Sequence, residues 1–437
     1  MTRSLTPILL SLAAATALLA ANPCTAQSYT LAEIPVVSPT AINNNGQIGG
    51  ADPATGDPSG NDPFILSSNG TLTDLGNLGS SCGVYGCRAV ALNSLGDAVG
   101  LAGTTPGSYK PFLFSNGKIT QLAPDSANPL GLNGSDDIVG YFYPTLCDSL
   151  GLTHAFVIKN GVFTDLSQPT DPSQPCNIYS EAHGINTSGQ IAGASTGSNN
   201  PSAGEVASVW QPTGALTFLG VLGTGFESRA FAINDAGQVT GNSYTGDAQG
   251  SLHAFLFSNG TMTDIDTFGS IASWAFGINS NGVVVGQVAN QPNSMAYHAF
   301  VFMGGSMMDL NTLIPAGSGL TIYQANAIND AGDIVAFASS NSDGTVHGVL
   351  LKPVAPQITS ISPTSGVAGT LVTITGKNFT SKPKACSVTI NGKLTKWTTW
   401  SNTKIQVQVP SGLALGTGHV VVTAFFQHSK SVAFTVK

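Results

Sequence analysis

The chain has 437 residues, of which only 9% are charged, and it carries 52 Gly, 24 Pro and a net charge of −8. So few charged side chains beside so much Gly and Pro exclude a mainly helical protein and predict many short strands joined by tight turns. From residue 355 onward there are eight Lys and no acid, whereas 27–354 hold six Lys or Arg against all 23 acids. That step marks a domain boundary, and the acidic main body argues against nucleic-acid binding through phosphate neutralisation.

In chain order, Met1-Thr2-Arg3, an apolar stretch from Pro7 to Ala21 and Cys24-Thr25-Ala26 predict a secretory leader, residues 1–26, cleaved near Ala26. The stretch is short for a membrane span, and no other run approaches its length. Lipid attachment at Cys24 is the alternative, for which Ala21-Asn22-Pro23 is a poor lead-in.

Residues 27–353 are built on one repeat: small residue, Ile or Leu, Asn, then Gly three positions later. Its seven asparagines are Asn43, Asn93, Asn133, Asn186, Asn234, Asn279 and Asn329, with spacings of 50, 40, 53, 48, 45 and 50. That period belongs to propeller arrays. Asn bonds its own turn, and Gly takes the left-handed angle other residues resist; Asp136 replaces it in the third copy. A second hairpin follows in each repeat, turning at Asn69-Gly70, Asn116-Gly117, Asn160-Gly161, Thr213-Gly214, Asn259-Gly260 and Gly304-Gly305. Two hairpins make a four-stranded blade. The seventh repeat lacks its fourth strand, and an orphan strand at Tyr29–Ile34 precedes the first. The expected fold is therefore all-β: a seven-bladed β-propeller closed by its N-terminal strand, which leaves no unpaired edge.

His-Ala-Phe recurs at His154, His253 and His298, and on those residues the array over about 28–353 resembles the HAF repeat of extracellular proteins. The resemblance implies an extracellular location and brings no catalytic residues. The fourth repeat departs most, with Ala207-Ser208-Val209-Trp210 in that place.

Residues 354–437 alternate short strands with Gly and Pro turns, as a β-sandwich does. Ser362-Pro363-Thr364-Ser365-Gly366 and Thr375-Gly376-Lys377-Asn378-Phe379 make this segment resemble the IPT/TIG family of immunoglobulin-like domains, which implies a spacer or binding module. Its lysines suit either an acidic partner or plain solubility, with edge strands guarded by charge.

Chemistry-bearing residues mostly recur. His154, His253, His298 and His347 hold one position in four blades, and Asp74, Asp165, Asp264 and Asp309 another, so they are spread around the ring. That pattern predicts strand-end hydrogen bonds rather than a metal site or an acid pair. Neither metal nor cofactor is expected, and no catalytic constellation appears. Cys82, Cys87, Cys147 and Cys176 fall in loops and are expected to pair as Cys82–Cys87 and Cys147–Cys176, leaving Cys386 a lone buried thiol.

Five residues before each repeat asparagine the sequence varies freely: Ser38, Arg88, Asn128, Glu181, Arg229, Trp274 and Gln324. Arg88, Glu181, Arg229, Trp274 and Gln324 are the ligand-binding candidates, with Trp274 as stacking platform, because variation at one geometric position is where a ring places specificity. They begin the first strands, where fourth strands of preceding blades lead in. A secreted binding or structural module for a polysaccharide or cell-envelope partner is the expected function, without a membrane span. The alternative is a carbohydrate-active enzyme using Glu181, Glu227, Arg229 and Tyr323.

Overall fold

The computed structural model describes residues 29–36, 38–53, 61–79, 87–105, 108–145, 151–167, 178–196, 204–289, 297–379, 386–424 and 427–437. The leader lies outside them. Seven four-stranded antiparallel sheets follow one another, and each holds the strand ending in the Ile/Leu of its repeat at one edge. These first strands are Ser38–Ile42, Arg88–Leu92, Ala127–Leu132, Ser180–Ile185, Ser228–Ile233, Ser273–Ile278 and Leu320–Ile328, in blades 1 to 7. Each touches the first strand of the next blade, and the last touches the first, so they surround a common axis.

Small residues allow that approach. A Cβ on Gly131 would stand 3.0 Å from the His183 carbonyl of the next blade, and one on Gly277 would stand 3.2 Å from Ala327 Cα. Each first strand also carries a bulge three residues before its asparagine, at Thr40, Val90, Leu130, His183, Phe231, Phe276 and Asn326. The extra residue bends the strand at the axis.

The repeat asparagines are buried, at 3–6% exposure, and do more than cap their turns. In blade 5, Asn234 Oδ1 accepts the N–H groups of Ala236 at 3.1 Å and Gln238 at 2.9 Å. Its Nδ2 donates to Gln238 Oε1 at 2.8 Å and across the blade boundary to the Asn279 carbonyl at 2.9 Å. The boundary bond recurs all the way round: Asn43 to Asn93, Asn93 to Asn133, Asn133 to Asn186, Asn186 to Asn234, Asn279 to Asn329, and Asn329 back to Asn43. The ring of seven is closed. The glycine of each turn adopts φ of 73–90°, and Asp136 takes 59° in the third copy.

Strand Tyr29–Glu33 completes the last blade, running antiparallel to Val346–Pro353 with Tyr29 opposite Pro353 and Glu33 opposite Val349. It also supplies the missing acid. In blades 3, 5 and 6 a histidine Nδ1 meets a fourth-strand carboxylate: His154 with Asp165 at 2.9 Å, His253 with Asp264 at 2.7 Å and His298 with Asp309 at 2.6 Å. In blade 7 the partner of His347 is Glu33 at 3.0 Å. The aspartates also accept backbone N–H groups two residues on, from Gly76, Ser167, Asp266 and Asn311, so their recurrence has a strand-end role. Hydrogen bonding to Asp264, and to the Ser270 carbonyl through Nε2, raises His253 against the cost of burial to about 9.

The C-terminal sandwich begins at Gln357, after the propeller strand ending at Pro353. One sheet runs Gln357–Ser362, Leu371–Lys377, Lys404–Gln408, Lys396–Trp400; the other centres on Gly416–Ala424 between Val432–Val436 and Cys386–Ile390. Val372, Ile374, Ile405 and Val407 from the first pack on Val388, Ile390, Val420, Val422 and Phe434 from the second. Cys386 is only partly buried rather than buried, because it opens its strand at the margin of that core. Cys87 is buried and disulfide-bonded; Cys82, Cys147 and Cys176 lie outside the described residues. Among the described residues no helix is long and apolar enough to cross a membrane.

Replacing Asn234 with Ala removes the one oxygen that accepts the Ala236 and Gln238 N–H groups, together with the boundary donor, while the Asn279 carbonyl keeps only the Gly282 N–H. The expected loss is about 2–4 kcal/mol in urea unfolding with an unchanged denaturant slope, whereas Ser258→Ala in the same blade stays within about 0.5 kcal/mol.

Candidate functional site

The strand-leading positions share one register. Ser38, Arg88, Asn128, Glu181, Arg229, Trp274 and Gln324 face Ala51, Leu101, Tyr141, Ala194, Asn242, Gln287 and Phe337 on the neighbouring strands. They surround the channel mouth opposite the asparagine ring. Buried serines precede three of them: Ser180, Ser228 and Ser273 accept the N–H groups of Ala155, Ala207 and Ala254 in the preceding blades, each at 2.8–2.9 Å. These stitches hold the strand starts rigidly.

Blades 4 and 5 bring charge together there. Arg229 meets Glu205 through two nitrogens, Nε at 2.7 Å and Nη2 at 3.1 Å, and its Nε stands 3.2 Å from Glu227. Glu181 accepts the Tyr179 hydroxyl at 2.7 Å and Thr153 Oγ1 at 3.4 Å, and lies 3.3 Å from His183 Nε2. Three carboxylates thus crowd one guanidinium. Burial pushes the Glu205 carboxyl up to about 7; Arg229 pulls against it, and the charges of Glu227 and Glu181 add to the rise. Burial also acts to raise Glu181, but His183, Tyr179 and Arg229 outweigh it and hold this carboxyl below its ordinary value. Burial and donation to Glu181 raise the Tyr179 phenol.

Aromatic rings flank the charges. Phe226, 65% exposed, stacks on Tyr244 with centroids 4.4 Å apart, and Tyr141 stands edge-on to Tyr143 at 6.0 Å. Burial raises the Tyr141 phenol, and among the lesser influences the charge of Glu181 adds to the rise while that of Arg88 opposes it. Trp274 and Gln324 are turned to their own surroundings: Trp274 is edge-on to Tyr297 at 5.8 Å, and Gln324 donates to Asn326 at 2.7 Å. Tyr323 stacks on Phe337.

Of the strand-leading candidates, the structure sets Glu181 and Arg229 beside Tyr179, Glu205 and Glu227, and the register rule does not single out Glu205, Tyr179 or Phe226. Glu205 had a signal. It directly precedes the third strand of blade 4, Val206–Trp210, the one that departs from His-Ala-Phe. Phe226 lies beside Glu227 in the connection into blade 5.

The opposite mouth forms a cup of about 270 Å³, floored by Ile42, Leu92, Ile185, Ile233 and their equivalents and collared by the asparagines.

Comparison with known proteins covers both parts. Residues 356–436 match the model of the IPT/TIG domain, so the sandwich is of that type. Residues 161–350 match a family described as "Protein of unknown function (DUF3466)". No curated protein matches the chain. Among solved structures, a fungal alcohol oxidase of the AA5 family in complex with copper is 13% identical, with a TM-score of 0.42 over 93% of this chain and 98% of that one. The β-propeller domain of the Trilobed protease from Pyrococcus furiosus is 10% identical, with a TM-score of 0.37 over 65% and 89%. A Bacteroides ovatus SGBP-B solved with a mixed-linkage heptasaccharide is 16% identical, with a TM-score of 0.16 over 37% and 43%.

Glu205 should titrate near 7 when followed by carboxyl-carbon NMR, and Arg229→Gln should move it higher. Its folded value exceeds the ordinary 4.5, so its contribution to stability is complete below pH 4.5 and falls as pH climbs through 7. Glu205→Gln should abolish that slope in the urea midpoint.

Proposed function

We propose that the protein is a secreted binding module whose ligand, a polysaccharide or other cell-envelope polymer, sits over the Glu181–Glu205–Arg229 cluster. The observation that carries this reading is the pairing of that partly desolvated polar group with exposed ring faces at Phe226 and Tyr143. Polar side chains held in place and flat apolar faces are what a sugar polymer needs: hydroxyls bond to the first, and pyranose faces cover the second. Export is supported by the leader-like first 26 residues and by the likeness of the repeats to the HAF family. Chains folded outside the cell keep disulfides, and Cys82–Cys87 with Cys147–Cys176 belongs to this reading. Peptide mapping without reductant should recover both pairs. Breaking the second should cost about 3–4 kcal/mol, since it closes the longer loop.

A carbohydrate-active enzyme is the second reading, favoured by the split between Glu181, held low, and Glu205, raised to about 7. Carboxyls pushed apart by their surroundings are how acid and base roles are divided.

A glycan array probed with the full chain, followed by a turnover assay on each hit, tests both. Glu181→Ala and Phe226→Ala should each weaken binding about tenfold or more, and Trp274→Ala, at a residue outside the cluster, far less, while altering the turns at Asn116-Gly117 and Asn259-Gly260 on the opposite face should leave it unchanged. The reverse pattern would place the ligand at the cup instead. Product release abolished by Glu205→Gln would replace the first reading by the second.

A further inference from the structure

Of the thirteen large apolar side chains exposed among the described residues, five belong to one end of the sandwich: Val367, Leu371, Leu394, Trp397 and Leu415, at 56, 50, 67, 47 and 77%. Strand register and backbone bonds bring them together. Leu371 and Lys396 both stand opposite Gln408, and Trp397 follows Lys396. The loop holding Val367 is tied to Val409 by two bonds, Gly369 N–H to the Val409 carbonyl at 2.8 Å and Val409 N–H to the Thr370 carbonyl at 3.0 Å. Lys393, beside Leu394, donates to the Ser411 carbonyl at 2.7 Å, in the segment that runs on to Leu415. This end lies away from the propeller. The chain enters the sandwich at the other one, where Gln357 faces Lys377, and Gln427 there donates to the propeller carbonyl of Ala331 at 2.8 Å.

We propose that this tip docks the protein on an anionic lipid surface. Charge is the first argument, because the segment from residue 355 carries eight lysines and no acid, and Lys393 and Lys396 are exposed at the tip itself. Shape is the second. The apolar side chains come singly from loops and strand ends. A lipid interface needs no matching shape: it takes Leu, Val and Trp into the acyl boundary while lysines meet the headgroups. The third argument is position, since the acidic propeller is attached at the far end and is held away from a negative surface. The rival occupant is the acidic propeller of a second copy, which would account for the lysines but not for the aliphatic tip.

Sedimentation of the full chain with vesicles tests the proposal. Vesicles of mixed phosphatidylglycerol and phosphatidylcholine should carry the protein down, and pure phosphatidylcholine far less. Leu371→Ser/Leu394→Ser/Leu415→Ser should weaken binding more than tenfold while keeping the parent urea midpoint. Lys393→Gln and Lys396→Gln should each cost about fivefold, an effect erased by high salt. Trp397 emission should move to shorter wavelength on binding, a shift absent in Trp397→Phe. Absence of sedimentation with anionic vesicles, or equal sedimentation of the triple variant, would overturn the proposal. So would self-association of the chain abolished by the triple variant, which would assign the tip to a second copy.

Discussion

Seven asparagine side chains hold the propeller to its axis. Each is buried, keeps its own turn in shape through Oδ1 and gives one Nδ2 hydrogen to the next blade's backbone, so turn geometry and blade spacing are one interaction. A hydrogen bond of this kind contributes about 1 kcal/mol net, and leaving the buried turn N–H groups without their Oδ1 acceptor costs more. Seven of them are comparable to the whole stability of a domain. The ring is also cyclic: the bond from Asn329 to Asn43 spans 286 residues and forms only if the blades together complete a full turn.

That constraint explains where variation is permitted. At the asparagine and the small residues before it, a change either breaks a boundary bond or pushes a Cβ into the neighbouring strand. Five residues earlier the first strands reach the open mouth, and a side chain there meets solvent and the rims of adjacent blades. Blades 4 and 5 use that freedom to assemble a guanidinium among three carboxylates. Blade 4 lacks the histidine–carboxylate pair found in blades 3, 5 and 6, and Glu205 stands one residue before the place that histidine takes in them.

The closing blade follows the same rule. His347 finds the carboxylate it needs on the N-terminal strand, so Glu33 reproduces, from the other end of the chain, the contact that an aspartate makes inside blades 3, 5 and 6. The sandwich stands outside this scheme. Its core alternates like any two-sheet packing, and among the described residues its exposed apolar tip has no counterpart within the domain.

The amino-acid sequence by itself determined what depends on neighbouring residues: the seven turns set by Asn and Gly, the four strands of each blade, the matched gap between first and last strands, and the charge step before the sandwich. Backbone angles and side-chain alternation act over a few residues, so a pattern of that length can report them. It also made the register of Arg88, Glu181 and Arg229 legible, because their positions count from the asparagine. Only the tertiary structure decided which of these residues meet. Glu205 and Arg229 are separated by 24 residues and lie in different blades, and Gln324 and Trp274 share their register yet turn to other partners. The direction of each asparagine's boundary bond and the gathering of five apolar residues at one tip are likewise set by the packing of whole sheets. No local preference encodes them.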